Sequence, residues 1–224
     1  MQDVRPKLGE ALPDRVVIQP MGVDTDRLHR TAPYQPPQPG ETLRLFTCAR
    51  LHLVKGHIDV LQAVRLLLDR GMDVRLEIAG EDDAGGGGFH TVLDEKIQEL
   101  GLQDHVTLMG AVPEETVRAK LFEAHLFVLA SWSEPLGVAY MEAMSCEVPV
   151  IGTDAGGVRE LITDGQDGIL VPPKAPEALA DAISDLASDP KKCLGLSAVG
   201  RRTVVDRFGA GRGADTLIRE ASRV

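Results

Sequence analysis

Ala130-Ser131-Trp132-Ser133-Glu134-Pro135-Leu136-Gly137-Val138-Ala139-Tyr140-Met141-Glu142-Ala143-Met144 is the stretch on which the fold turns. Just before it, the apolar run Leu126 to Leu129 stops at polar and turn-forming residues, and the helix-forming run Val138 to Met144 follows. Strand, tight loop and helix in that order aim backbone N–H groups and a positive helix end at an anion.

Outward from this stretch, strand and helix patterns alternate. Before it, the predicted strands are Leu43–Ala49, Val74–Ala79 and Val106–Met109, with helices over about His57–Arg70, Val92–Leu100 and Pro113–Glu123. Ile58, Leu61, Val64 and Leu68 are expected on the inner face of the first helix, with Gly71 as its stop. After it come strands Pro149–Ile151 and Ile169–Val171, a short helix Val158–Thr163, and helices Pro176–Ala187, Pro190–Asp206 and Gly213–Ala221. About six strands alternating with helices define an α/β chain with a Rossmann-like, doubly wound parallel sheet. In the lead-in, residues 1–40, Arg15 to Ile18 is a short apolar run and Pro20 to Asp24 a turn; Pro33 to Gly40 reads as an extended linker or surface loop. The domain proper is expected over residues 41–224.

Composition narrows the function classes. Aromatics make up only 4% of the 224 residues, too few for a stacking platform that holds single-stranded nucleic acid. A formal charge of −10 argues against any polyanion spread over the surface, so phosphate binding would need a few placed cations. Cys48, Cys146 and Cys193 are widely spaced and read as buried free thiols in a reducing compartment. The six histidines show no ligand spacing with them, so no metal site is expected. Neither a secretory signal nor an apolar run near 18 residues is present, and the chain reads as cytoplasmic.

Ligands of such sheets sit at the carboxyl ends of the strands, where the polar loops gather. Glu134 lies on the central loop and Glu142 one to two turns into its helix, so both can face one crevice. Carboxylates at the mouth of an anion site make sense if they accept hydrogen bonds from sugar hydroxyls on either side of a phosphate, as in a nucleotide sugar. Taken singly, each is equally a helix-start residue, favoured there by ~0.3–1 kcal/mol. Arg50 and Lys55, after the first strand, can reach a diphosphate as a bidentate fork and a point charge, or remain solvated loop residues. Gly80, at a strand end, suits close backbone approach to a ligand, and Gly110-Ala111-Val112 offers backbone groups to a nucleobase edge. Ala84 to Gly88 follows three acidic residues and reads as a flexible surface loop. Gly156-Gly157 serves either a ligand or its own turn, while Met141 and Met144 belong to the core. No Gly-x-Gly-x-x-Gly or Gly-Lys-Ser/Thr is present, which argues against a dinucleotide fold or a phosphate loop.

Together, in this order, the elements resemble the C-terminal, nucleotide-sugar-binding domain of glycosyltransferase family 4, retaining enzymes of the GT-B fold. The resemblance is carried by Pro20 to Asp24, Arg50 through His57, Val106 to Gly110, Phe127 to Ser131, Glu134 to Met144, Pro149-Val150, Gly156 to Ile162 and Gly165 to Val171. It implies hexosyl transfer from a UDP-, GDP- or ADP-linked sugar without a further cofactor, as in polysaccharide assembly. Arg50 and Lys55 would neutralise the diphosphate, Glu142 would hold the ribose, and the N–H groups from Leu136 through Gly137 and Val138 to Ala139 would meet the phosphates. Glu134 would lie beside the transferred sugar. The resemblance further implies a missing N-terminal domain that supplies a carbohydrate or lipid-linked acceptor, with residues 1–40 as the interdomain connection. Peripheral contact at the inner membrane face is compatible with it. Three residues depart from the family pattern: Met21 for asparagine, Pro135 for a small residue, and Glu147 for glycine. Two alternatives stay open, a non-catalytic nucleotide-sugar module completed by a partner chain and a GT-B-type nucleotide-sugar epimerase.

Overall fold

In a computed structural model, which describes residues 17, 19–82 and 88–222, the chain forms a six-stranded parallel sheet flanked by helices. The strands are β1 (Leu43–Cys48), β2 (Val74–Ala79), β3 (Val106–Gly110), β4 (Leu126–Leu129), β5 (Val150–Thr153) and β6 (Ile169–Val171). Their order is β3-β2-β1-β4-β5-β6, so the winding reverses between β1 and β4. That reversal opens a crevice beyond the carboxyl ends of these two strands, the usual ligand position in open α/β sheets. The helices are α1 (His57–Asp69), α2 (Phe89–Glu99), α3 (Glu114–Glu123), α4 (Val138–Ser145), α5 (Val158–Leu161), α6 (Pro176–Ser188), α7 (Pro190–Phe208) and α8 (Gly211–Ala221).

The two-residue period of the strands sorts their side chains into two core layers. Leu45, Leu76, Ile78, Leu126, Val128 and Ile151 face one side, where Leu61 and Leu67 of α1, Leu93 of α2 and Ile183 of α6 cover them. Phe46, Phe127, Leu129 and Val150 face the other, under Leu121 of α3, Met141 and Met144 of α4, and Val158 of α5. α7 closes both layers, contributing Cys193 and Leu196 to the first and Val204 and Phe208 to the second. The most buried face of α1 is Val60, Leu61, Ala63, Val64 and Leu67, whereas Ile58 and Leu68 are only partly buried. The expected face is thus rotated, because α1 packs against α6 as well as the sheet.

The segment before β1 is pinned to the domain. Tyr34 is buried and its hydroxyl donates to the His125 carbonyl at 2.7 Å, while Pro36 and Pro37 are also covered. Arg30 reaches the carbonyls of Cys146 and Leu121 at 2.5 and 2.9 Å. The proline-rich piece is therefore an anchored surface loop and not a free linker. The apolar run Arg15 to Ile18 lies, apart from Val17, outside the described residues, as does most of the glycine-rich loop. The cysteines are free, Cys146 and Cys193 buried and Cys48 half-buried. Among the described residues, no helix is long and apolar enough to cross a membrane.

Candidate active site

The loop after β4 is held from three sides. Tyr140, fully buried on α4, donates its hydroxyl to the Leu129 carbonyl at 2.5 Å. Burial keeps that phenol protonated, its pKa raised. The ring needs its neighbours to be glycines: a Cβ at Gly152 would lie 2.8 Å from the hydroxyl, and one at Gly137 would lie 2.8 Å from the ring. An aromatic ring buried this way contributes roughly 4–6 kcal/mol, which fixes the start of α4 on the sheet. On the second side, Gly156 and Gly157 press their backbone against the loop. A Cβ on either would stand 2.3 or 2.1 Å from the carbonyl oxygens of Glu134 and Pro135, and the Gly157 amide donates to the Glu134 carbonyl at 2.7 Å. These glycines serve their own turn and the seating of Glu134. On the third side, a 3-10 turn, Leu53–Lys55, abuts the loop: the Trp132 amide donates to Val54 at 2.8 Å, and a Cβ on Gly56 would meet the Ala130 carbonyl at 1.9 Å.

This packing brings two sequence-predicted residues into contact. Lys55 Nζ lies 2.7 Å from Glu134 Oε2, with the two side chains 14% and 10% exposed. The other carboxylate oxygen accepts the Gly137 amide at 3.2 Å, and the Ser131 hydroxyl sits 3.4 Å from Oε2. Glu134 therefore holds the amide of Gly137, the residue that opens α4, while the amides of Val138 and Ala139 in its first turn have no intrahelical acceptor. The expected set of phosphate-facing amides, Leu136 to Ala139, is in this state partly engaged, with Gly137 bonded to the chain's own carboxylate.

Arg50 is exposed in the loop after β1. Its carbonyl accepts a hydrogen bond from His57 Nε2 at 3.0 Å, which leaves Nδ1 of this buried imidazole without a partner. Burial, with Lys55 nearby, pushes the His57 pKa down to about 4 against the Arg50 hydrogen bond, so the ring is neutral. Glu142 lies half-buried, one helical turn beyond Val138, with no side-chain hydrogen bond among the described residues. Its burial, reinforced by the Glu114 carboxylate, raises its pKa. The same carboxylate adds to the burial that lifts the Cys48 thiol to about 11, which places Glu142 toward the end of β1. Val112 is half-buried against the second core layer, and Gly110, φ +67°, faces open space. Gly80 has a structural duty as well. A Cβ there would stand 1.9 Å from the Ala49 carbonyl, so glycine is required by the neighbouring strand end, and its amide donates to Gly110 at 2.9 Å.

Among the described residues, no group of three or more His, Cys, Asp or Glu side chains could hold a metal ion. The described residues offer a buried Lys55–Glu134 ammonium–carboxylate pair at the start of α4, an exposed arginine after β1, and on α4 the half-buried Glu142, which has no side-chain hydrogen bond among them. Sequence reading missed His57, whose signal was a histidine inside an otherwise apolar helix start. It also missed the bonds of Trp132, the single tryptophan, whose indole donates to Asp59 at 2.6 Å.

Residues 31–203 match the family model "Glycosyl transferases group 1", and the chain belongs to that family. A GDP-mannose-dependent alpha-(1-6)-phosphatidylinositol monomannoside mannosyltransferase of Mycolicibacterium smegmatis is 29% identical over 84% of this chain and 51% of its own length. The putative colanic acid biosynthesis glycosyltransferase WcaL of Salmonella typhimurium is 32% identical over 78% and 43%. The chain thus spans about half the length of these relatives. Among solved structures, the C-terminal domain of a group 1 glycosyl transferase (LpcC) from Francisella tularensis is 26% identical, with TM-score 0.71 over 84% of this chain and 99% of that one. Anabaena HepE in complex with UDP and glucose shares the fold at TM-score 0.79 and 21% identity, covering 91% of this chain and 55% of HepE.

Proposed function

We propose that this chain is the donor-binding domain of a retaining, GT-B-type hexosyltransferase that uses a nucleotide-diphospho-sugar and needs no further cofactor. The observation that carries the reading is the Lys55–Glu134 pair at the N-terminus of α4, held at 2.7 Å inside the crevice between β1 and β4. A cation, a helix end and a carboxylate in one place suit a diphosphate with a sugar beside it. On this reading Lys55 turns from Glu134 to the β-phosphate as donor enters, and Arg50 covers the outer oxygens. Amides at the start of α4 take the remaining phosphate oxygens. Glu142, without a side-chain hydrogen bond among the described residues, accepts the ribose hydroxyls, and the backbone near Gly110 and Val112 meets the base. Glu134, released from Lys55, faces the transferred sugar.

The transfer breaks the bond between the anomeric carbon and the diphosphate oxygen and forms one to an acceptor hydroxyl oxygen, whose proton passes to the leaving diphosphate. The developing charge on the leaving diphosphate is met by fixed cations and dipoles, which act more strongly on the transition state than on the bound donor. Each charge-assisted contact contributes ~1.5–3 kcal/mol. The acceptor and the rest of the cleft would come from an N-terminal domain of the kind that the longer relatives have room for. GDP-mannose dependence in one relative and UDP complexes of HepE support a nucleotide donor. The test is calorimetric titration of this chain with UDP, GDP and ADP, repeated on Arg50→Ala and Lys55→Ala. Saturable binding of one nucleotide, weakened at least tenfold by Lys55→Ala, is expected. No binding of any of the three would overturn the reading.

A further inference from the structure

Behind the Lys55–Glu134 pair lies a second set of polar contacts, made by residues outside the proposed donor contacts. Asp59, in the first turn of α1, is 7% exposed, and its carboxylate accepts the Trp132 indole N–H at 2.6 Å. Lys174 leads from β6 to α6 and holds φ +58°, a backbone conformation that favours glycine or asparagine over lysine. Its ammonium sits 4.3 Å from the centroid of the Trp132 ring, a cation–π distance. A strained residue persists only where its surroundings over-determine it, and here the strain sets an ammonium over an indole. Three elements that are remote in sequence, the start of α1 and the loops after β4 and β6, therefore converge on the Trp132 indole, with Asp59 at its N–H and Lys174 over its ring.

The two ends of this cluster touch the donor site. Trp132 stands two residues before Glu134, and its own amide is bonded to Val54, the residue before Lys55. Asp59 follows Lys55 by four residues, beyond Gly56, whose backbone is in contact with Ala130. The geometry points to Asp59, Trp132 and Lys174 as positioning residues for the donor diphosphate: a clamp that sets the separation of Lys55 and Glu134 and ties the loop after β6 to the site. The inference rests on the donor-site reading above. A site that holds charge by fixed geometry is sensitive to displacements of about 0.5 Å in its supporting shell, which gives such a clamp its purchase on affinity.

The test uses the whole chain, with UDP, GDP and ADP as probes, and whichever of them the unaltered chain binds. Trp132→Phe keeps a ring under the ammonium and removes the indole donor; Asp59→Ala removes the acceptor; Asp59→Asn keeps an acceptor for the indole. Each of the first two is expected to weaken binding about tenfold, the double variant no more than either single one, and Asp59→Asn to restore most of the loss. Lys174→Gly relieves the backbone strain while removing the ammonium. It should leave the melting temperature unchanged or higher and still weaken binding severalfold, an outcome a purely structural role does not produce. Because Trp132 is the single tryptophan, its emission is expected to shift red and quench more readily in Asp59→Ala, and to respond to nucleotide in the unaltered chain. Unchanged nucleotide affinity in both Trp132→Phe and Lys174→Gly would overturn the clamp while leaving the donor site standing. Absence of nucleotide binding by the unaltered chain would overturn both.

Discussion

Replacing Lys55 by methionine keeps the length and apolar stem of the side chain and deletes its charge. The carboxylate it leaves behind, Glu134, is 7% exposed and retains the Gly137 amide at 3.2 Å and the more distant Ser131 hydroxyl. At 2.7 Å the gross attraction within the pair is about 6 kcal/mol with an effective dielectric constant of about 20. Most of that attraction offsets the loss of hydration, so the net value of the pair is small. Breaking it is another matter, since the surviving charge keeps only neutral donors among the described residues, and one-sided removal costs about 3–5 kcal/mol when the pair is fully buried. Side-chain exposures of 14% and 10% put the expected loss at the low end, about 3 kcal/mol. For a domain of this size that lowers the melting temperature by about 6–12 °C. Glu134→Gln alone should lose a similar amount, whereas Lys55→Met combined with Glu134→Gln should come within about 1 kcal/mol of the unaltered chain. Urea unfolding followed by circular dichroism measures all four proteins. A loss below about 1 kcal/mol for Lys55→Met would place the pair among solvated surface bridges and refute the buried-site argument. So would a double variant that lost the sum of the two singles.

Glu147 ends α4 at φ +59°, with the Glu147 and Val148 amides bonded to the carbonyls of Met144 and Ala143 in a Schellman arrangement. Glu147→Gly should therefore stabilise by about 1 kcal/mol, seen as a rise in melting temperature of about 2–4 °C; a fall would contradict the strain. His57 has its folded pKa lowered to about 4 from 6.5, so its contribution to stability is complete above pH 6.5 and is lost as pH falls toward 4, at up to about 1.4 kcal/mol per pH unit. His57→Gln should flatten the fall in melting temperature between pH 6.5 and 5, and parallel curves for the two proteins would exclude the assignment. Gly156→Ala forces a Cβ to within 2.3 Å of the Glu134 carbonyl at φ +64°, and should cost about 2 kcal/mol or more together with most of the nucleotide affinity. Calorimetry that finds full affinity in that variant would show that the Glu134 loop does not depend on its glycine seat.

Much of this was legible in the chain because parallel strands buried on both faces leave continuous apolar runs. Leu126 to Leu129 and Val74 to Ala79 fall where the sequence puts them. Helix ends marked by Gly71, Gly101 and Pro176 were readable for the same local reason. The inner face of α1 was not, since a single helix does not announce that α6 will cover a second side of it. The approach of Lys55 to Glu134, 79 residues apart, depends on β1 and β4 being neighbours, a fact of sheet order that no local pattern carries. Gly80 shows a second reason for a glycine at a strand end that the sequence does not announce: a Cβ there would meet the Ala49 carbonyl. Glu147 was visible as a departure from a family pattern, yet only the backbone angle reveals that the departure stores strain.

One contact far from the crevice shapes what the domain is mechanically. The Val23 amide donates to Phe208 and the Val23 carbonyl accepts from Ala210, each at 2.9 Å, with Gly22 so close to Phe208 that a Cβ would stand 2.1 Å from its carbonyl oxygen. All the polypeptide from Val23 to Phe208 is thus a single loop gathered at a two-stranded neck. Whatever precedes and whatever follows leave through the same point, so closing that loop inside a longer chain adds little entropic cost.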